Sequence, residues 1–450
     1  MTVIEEIIDF ISATNYNDIP TQVRDTGKIA LVDVIGCMIA GTQVDASKAM
    51  YRFLEQRPYS TDCTLLGKTQ NVSLADAALS CGFFSHALDF DNASNYSGHS
   101  SAVIAGALIP VAEHLGKSGQ ETLRAYLIAQ EVGFKLAMLM VPDINFRGWH
   151  ITPVFGTISA TIACAILMEL NKDELASALS LATSKASGMM VQFGTMTKFL
   201  HCGIAASAGI ECCQMAKAGL MGNPSAFEGK NGFFQAFSGR TYPVQGLMLG
   251  EPWAISDNSL LIKLYPCCSA MHTALNGIKI LQDANKFTAS EINNITVEVP
   301  QYTTSNLVYE TPKQPSEGRF SMQFGVANMV VHGKLDLESF TNENLENEDI
   351  KSLMNKIKMQ VSTEFPAFVE SEPCNLDISL SDGRQIQGTF EYARGRTLEN
   401  PCSKEDLLNK FISCTQKIIG HQQGNSLFEQ IYDIESLASM KNIITIKESK

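Results

Sequence analysis

At 450 residues the chain exceeds one ordinary domain and can bury a large core unaided, and its 45% apolar and 18% charged composition excludes a disordered protein. A formal charge of −13 with no basic stripe argues against nucleic acid or an anionic membrane surface as partner. The apolar runs are interrupted before the roughly 20 residues a membrane span needs. Twelve irregularly spaced cysteines without a secretory leader fit reduced thiols and a cytoplasmic location.

Apolar positions recur at three- and four-residue spacing over 2–13 and 20–41, the second run becoming almost wholly apolar from Ile29 to Ala40. Helical patterns continue over 47–56 and 73–88, with a strand-like or turn piece at 61–67. A polar break, 83–101, carries His86, Asp89, Asp91 and His99 between two Ala-rich segments. Helices follow at 100–115, where Ser100 and Ser101 are candidate caps, and at 121–140. A second break, Pro142 to Pro153, holds Arg147, Trp149 and His150, and an uncharged helix runs on from Phe155 to Met168. A helix over 172–189 and the stretch Gly194 to His201, which contains Lys198, lead into the Ala/Gly-rich run 203–218.

After His272 the texture changes. Residues 292–299, 357–362 and 376–386 tend to alternate with period two, Asp382-Gly383 marks a hairpin, and a helix spans 320–332. From Pro401 the pattern is helical again, with Ser403 as cap. The expected architecture is mainly α: a large all-helical domain, 1–264 and 398–450, with an inserted smaller α/β lid domain, 265–397, and a cleft at the join.

Polar groups at breaks in apolar surroundings suit general acid/base work on an anionic substrate, because imidazole exchanges protons near neutral pH and lysine neutralises carboxylate. They are Asp89, Asp91, His99, Arg147, His150, Lys198, His201 and His272. A cation beside a carboxylate also stabilises the enolate-like charge formed when the neighbouring C–H proton leaves. The bland alternatives are a solvated turn at 83–101, hydrogen-bonded core roles for His86 and His201, and simple packing for Trp149. Cys267, Cys268 and His272 are close in sequence, but adjacent cysteines do not readily share one tetrahedral zinc. No Cys-x-x-Cys, His-Glu-x-x-His or Gly-rich nucleotide loop occurs, so neither metal nor nucleotide is expected.

Five motifs in order carry a resemblance: His86-Ala-Leu-Asp-Phe-Asp with His99-Ser, Gly148-Trp-His150-x-Thr152, Gly194-Thr-Met-Thr-Lys198-x-Leu-His201, Lys263-x-Tyr-Pro-Cys-Cys-x3-His272 and Asn400-Pro-x-Ser. Together they resemble the MmgE/PrpD family across nearly the whole chain. The resemblance implies a homodimer that acts without metal or organic cofactor on a small anionic carboxylic acid. It implicates Asp89, His99, Lys198 and His272 in catalysis, with Lys198 neutralising a substrate carboxylate, and places His150 in the same pocket; His150, Arg147, Asp91 and Lys263 are the candidate substrate-binding residues. Which of His99 and His272 is acid and which base stays open.

Three departures bear on the reaction. Decarboxylase members carry Asp-Asp-Thr where this chain has Asp91-Asn92-Ala93, a tyrosine where it has Phe324, and proline where it has Ser100. Lost hydroxyls remove hydrogen bonds worth about 0.5–1.5 kcal/mol each, which favours 2-methylcitrate-like dehydration over decarboxylation. Epimerisation of a related polycarboxylate and a non-catalytic carboxylate-binding relative are the alternatives.

Overall fold

The computed structural model describes all residues except 95, 243–245, 258–259, 445 and 447–450. The chain divides into two compact units, Met1–Ser259 with Ser403–Lys450, and Leu260–Cys402. The split falls slightly outside the boundaries expected from sequence, because the two connecting segments pair with each other. Ile262 N–H donates to Gly395 O and Thr397 N–H to Leu260 O, both at 2.9 Å. Pairing between short remote segments leaves no periodic signal.

The larger unit is helical: α1 (Val3–Ala13), α2 (Thr21–Gly41), α3 (Asp45–Leu54), α4 (Leu74–His86), α5 (Ser100–Leu115), α6 (Gly119–Met140), α7 (Ile151–Leu167), α8 (Lys172–Lys185) and α9 (Met196–Lys217) precede the insertion. Helix α1 shows the logic at the surface: Val3, Ile4, Ile7, Ile8 and Ile11 form its buried stripe, and Thr2 and Glu5 close a capping box. Helices α4, α5, α7 and α9 pack on one another as the centre of the unit. Their residues are small where they meet. A Cβ on Gly106 of α5 would lie 2.5 Å from Gly82 Cα of α4, and one on Gly203 of α9 would lie 2.3 Å from Leu79 O of α4. The absent side chains let backbones touch, which sets where the helix ends fall.

Two helices begin earlier than their patterns suggest. Helix α7 starts at Ile151, so Pro153 lies in its first turn, where no intrahelical N–H is needed. Helix α9 starts at Met196, capped by the Thr195 hydroxyl, so Lys198 and His201 ride on a helix and not on a loop. Ser100 and Ser101 do not cap α5; His99 occupies the cap position, without a side-chain capping bond. Among the described residues no single helix is long and apolar enough to cross a membrane; α2 and α3 reach that length and apolarity only as a bent pair.

The smaller unit, taken by itself, is α/β: α10 (His272–Asn285), β1 (Ile292–Val299), α11 (Met322–His332), β2 (Ile357–Val361), β3 (Cys374–Leu380) and β4 (Gln385–Phe390). The sheet order is β2-β1-β3-β4, parallel between β1 and β2 (Ile295 opposite Ile357) and antiparallel elsewhere (Ile295 opposite Ile378, Ile378 opposite Ile386). Ile292, Ile295, Val297 and Val299 face a core shared with Leu275 and Ile278 of α10 and Phe324 of α11. The chain then returns to the larger unit as α12 (Lys404–Ile419) and α13 (His421–Tyr432), with Ser403 capping α12 as expected.

The glycine contacts predict that Gly106→Ala overpacks the α4–α5 contact and costs about 1–3 kcal/mol. A urea titration should show a lower midpoint with the slope unchanged; an unaltered midpoint would mean that the helices separate at no cost.

Candidate active site

Four helix ends of the larger unit converge: the C-terminus of α4, followed by the turn 87–92, and the N-termini of α5, α7 and α9. Asp89 sits in the turn with φ of 50°, in the left-handed region that aspartate tolerates better than most residues. The turn is not the solvated loop that its composition suggests, since Asp89 and Asp91 are fully buried.

Asp91 is the hub. His86 Nδ1 lies 2.8 Å from its Oδ1 and His99 Nδ1 lies 2.9 Å from its Oδ2. An ionised carboxylate only accepts, so both Nδ1 atoms carry the proton and both Nε2 atoms present the lone pair in the neutral rings. Burial works to raise the Asp91 pKa, but the flanking imidazoles outweigh it and hold the carboxyl well below the usual range. The two rings lie 4.1 Å apart, and Phe199 packs edge-on against His86. Burial, then the nearby Lys198 charge, depresses the His86 pKa.

His99 also faces Asp89, with Nε2 3.5 Å from Oδ1. Asp89 Oδ2 in turn accepts from Lys198 Nζ at 2.7 Å. The result is one buried chain of alternating groups, Lys198–Asp89–His99–Asp91–His86. The His99 backbone N–H donates to Thr152 Oγ1 at 3.0 Å, which ties the start of α5 to the first turn of α7. Gly98, at φ of 61°, makes this approach possible; a Cβ there would lie 2.3 Å from Thr152 Oγ1.

His150 precedes α7, its backbone held by the Gly188 carbonyl at 3.0 Å. Its Nδ1 shares one hydrogen with His201 Nδ1 at 3.0 Å, so one ring donates and the other accepts. Phe193 closes this side, edge-on to His150 at 4.9 Å and beneath Lys198 Nζ at 5.4 Å. Burial first, then the Lys198 charge and its neighbour His201, pushes His150 well down, and burial with His86 and Lys198 brings His201 to about 4.

The fold thus brings two hydrogen-bonded pairs, Asp91 with His99 and Asp89 with Lys198, together where His99 Nε2 lies 3.5 Å from Asp89 Oδ1, and puts His150 beside Lys198. Arg147 is not brought to it: the side chain is exposed and its guanidinium lies against Gly239. Trp149 packs on Phe237, as expected. Lys263 and His272 belong to the smaller unit, where both are fully buried and the His272 ring lies 5.2 Å from Tyr265. Among the described residues, the group with metal-ligand spacing is His86, Asp91 and His99, within 4.8 Å of one another, not the Cys267–His272 stretch. Their N···O separations of 2.8 and 2.9 Å are hydrogen-bond lengths, with each Nδ1 donating directly to the carboxylate.

His86 takes the hydrogen-bonded core place expected of it, on the hub itself. One contributor lies outside every motif. Asp33 lies inside the apolar run of α2, and a charge amid ten or so apolar residues is itself a signal. Its carboxylate binds Lys410 at 2.5 Å and accepts the Asn92 N–H at 2.8 Å.

Family models for the MmgE/PrpD N-terminal domain and C-terminal domain match residues 5–245 and 265–434. The chain belongs to the MmgE/PrpD family. It is 24% identical to a cis-aconitate decarboxylase-like protein, oryM, of Aspergillus oryzae, over 98% of this chain and 96% of that protein. It is 23% identical to the cis-aconitate decarboxylase of Mus musculus, over 97% and 91%, and 24% identical to the 2-methylcitrate dehydratase of Salmonella typhimurium, over 90% and 89%.

The His150–His201 pair predicts an acid-labile fold. Below pH 6.5 the unfolded chain takes up protons that the folded His201 refuses until about 4, so stability is complete above 6.5 and falls as pH drops towards 4. Chemical denaturation across this range should show that slope, and His201→Asn should flatten it; equal slopes in the two proteins would exclude the pair as its source.

Proposed function

We propose that this MmgE/PrpD member is a lyase for a small di- or tricarboxylic acid, working by proton transfer at the carbon next to a carboxylate. The observation that carries the reading is the His99 imidazole, with Nδ1 bound to buried Asp91 and Nε2 directed to the Asp89–Lys198 pair. Asp91 holds His99 in the tautomer whose Nε2 can take a proton, and stabilises the imidazolium that forms. Lys198 supplies the positive charge on which a substrate carboxylate, and the enolate-like charge of its deprotonated form, would rest. Asp89 keeps Lys198 in place until the substrate carboxylate competes for it. His150, held neutral beside the lysine, is a hydrogen-bonding group for the acid and not a second cation. A proton-transfer role for His272 and a substrate-binding role for Lys263 rest on the motifs alone, and one for Arg147 on its place in the break between Pro142 and Pro153.

In the dehydration favoured by the sequence, His99 would take the proton and a second group would protonate the departing hydroxyl. Decarboxylation is a second reading with its own support. Asn92, one of the departures held against it, spends its side chain on Asp33, Ala30 O and Ser101 and so leaves the cluster around His99 unaltered, whereas the hydroxyls absent at Ala93 and Phe324 still weigh against it. A cytoplasmic homodimer belongs to the same proposal and is checked by light scattering.

The test is proton NMR in deuterated water with 2-methylcitrate, citrate, cis-aconitate and iminodisuccinate. An alkene product, or loss of carbon dioxide with deuterium at the former carboxylate-bearing carbon, is expected. A folded protein that exchanges no proton on any of these acids would overturn the reading. Lys198→Ala and His99→Ala should remove activity. Asp91→Asn, which keeps the shape but offers the wrong hydrogen-bonding atom, should lower kcat by on the order of 10²–10⁴, with circular dichroism confirming the fold; a loss under about threefold would sink the assigned role of Asp91.

A further inference from the structure

The turn that carries Asp89 and Asp91 has two faces. Asp89 and Asp91 turn to the lysine and the histidines, whereas Phe90 and Asn92, the alternate residues, are held from behind. Lys410 of α12 donates from Nζ to Phe90 O at 2.5 Å and stands 4.0 Å over the Phe90 ring. Asp33 of α2 accepts at Oδ2 from the Asn92 N–H at 2.8 Å and from Asn92 Nδ2 at 3.0 Å, and its Oδ1 pairs with Lys410 at 2.5 Å. Asn92 is further tied to Ala30 O at 3.1 Å and accepts from Ser101 Oγ at 2.6 Å, whose hydroxyl also meets Tyr126. Asp33 and Lys410 side chains are 0% and 4% exposed.

We infer that the Asp33–Lys410 ion pair is a positioning device for the proposed reaction, setting the Asp89–Asp91 turn through Phe90 O and Asn92 without touching substrate. Two helices could be joined by apolar packing at less desolvation cost than two buried charges. Here each charge also makes a hydrogen bond to the 90–92 segment, which apolar side chains cannot supply. The pair also joins α12, which follows the inserted unit in the chain, to the turn, so the return of the chain completes the site's support. Displacing the turn would move the Asp91 carboxylate relative to both Nδ1 atoms and Asp89 relative to Lys198, and small misplacements of this kind are costly in rate.

The inference rests on the reading of His99 and Asp91 given above, and its test has one arm that needs no turnover. The double variant Asp33→Asn/Lys410→Met removes both charges together, leaving no lone buried ion. It is expected to unfold within a few degrees of the parent, with kcat lowered about tenfold or more and KM changed less than about threefold. The second arm is the pair of ring N–H proton signals of His86 and His99 in protein labelled at histidine, which should shift or broaden in the variant. Parent-like kcat and parent-like ring signals in the folded double variant would overturn the inference and leave the pair a packing contact. If the parent turns over none of the acids, the proposed function fails and the ring signals alone decide this point. Should the double variant not fold, Asn92→Ala, which leaves both charges in place, takes its role: displaced ring signals support the clamp, and unchanged ones overturn it.

Discussion

A single carboxylate, Asp91, shared by two imidazoles and fully removed from water, is the interaction on which the rest of the site depends. An unpaired carboxylate in that position would cost several kcal/mol; two ring N–H donors make it tenable and keep it ionised. The consequence is chemical as well as structural. Asp91 dictates which nitrogen of His99 bears hydrogen, and therefore which nitrogen is left to face Asp89 and Lys198.

That arrangement requires four helix ends to meet, and the helices reach one another because their contact faces are stripped to glycine and alanine. Where Gly82 meets Gly106 and Gly203 meets Leu79, backbone lies on backbone, and no softer packing would bring the α4 turn, the α5 start and the α9 lysine into hydrogen-bonding distance. Three helix N-termini at the same place add partial positive charge, which suits an anionic ligand beside the lysine. The negative overall charge of the protein is no obstacle to such a ligand, because Lys198 and the helix ends act at close range, whereas distant surface charges are screened.

The same geometry changes the weight of one residue that sets this chain apart from decarboxylase relatives. Asn92 is spent on α2 and Ser101, so the change at this position leaves the cluster around His99 as it is. Substitutions at a motif position are informative about chemistry only once it is known which way the side chain points. Here position 92 faces away from the cluster even though its neighbour Asp91 is at its centre.

Much of this was legible in the amino-acid sequence. The helical periodicity of 2–13, 20–41 and 73–88, the alternating strands 292–299 and 376–386 and the Asp382-Gly383 turn are local patterns, written by the need of each element to bury one face. So were Asp89, Asp91, His99 and Lys198, because polar residues at breaks between apolar helices stand out, and their motifs are those of the family. What only the tertiary structure decided is which of these groups touch. His86 and Asp33 looked like core residues because their partners, Asp91 five positions away and Lys410 at the far end of the chain, are set by helix packing and not by spacing. Arg147 looked like a ligand group and lies at the surface, since a turn's sequence does not say which side of it faces inward. Periodicity reports the face an element buries; the hydrogen bonds made across that face depend on how remote elements are brought together.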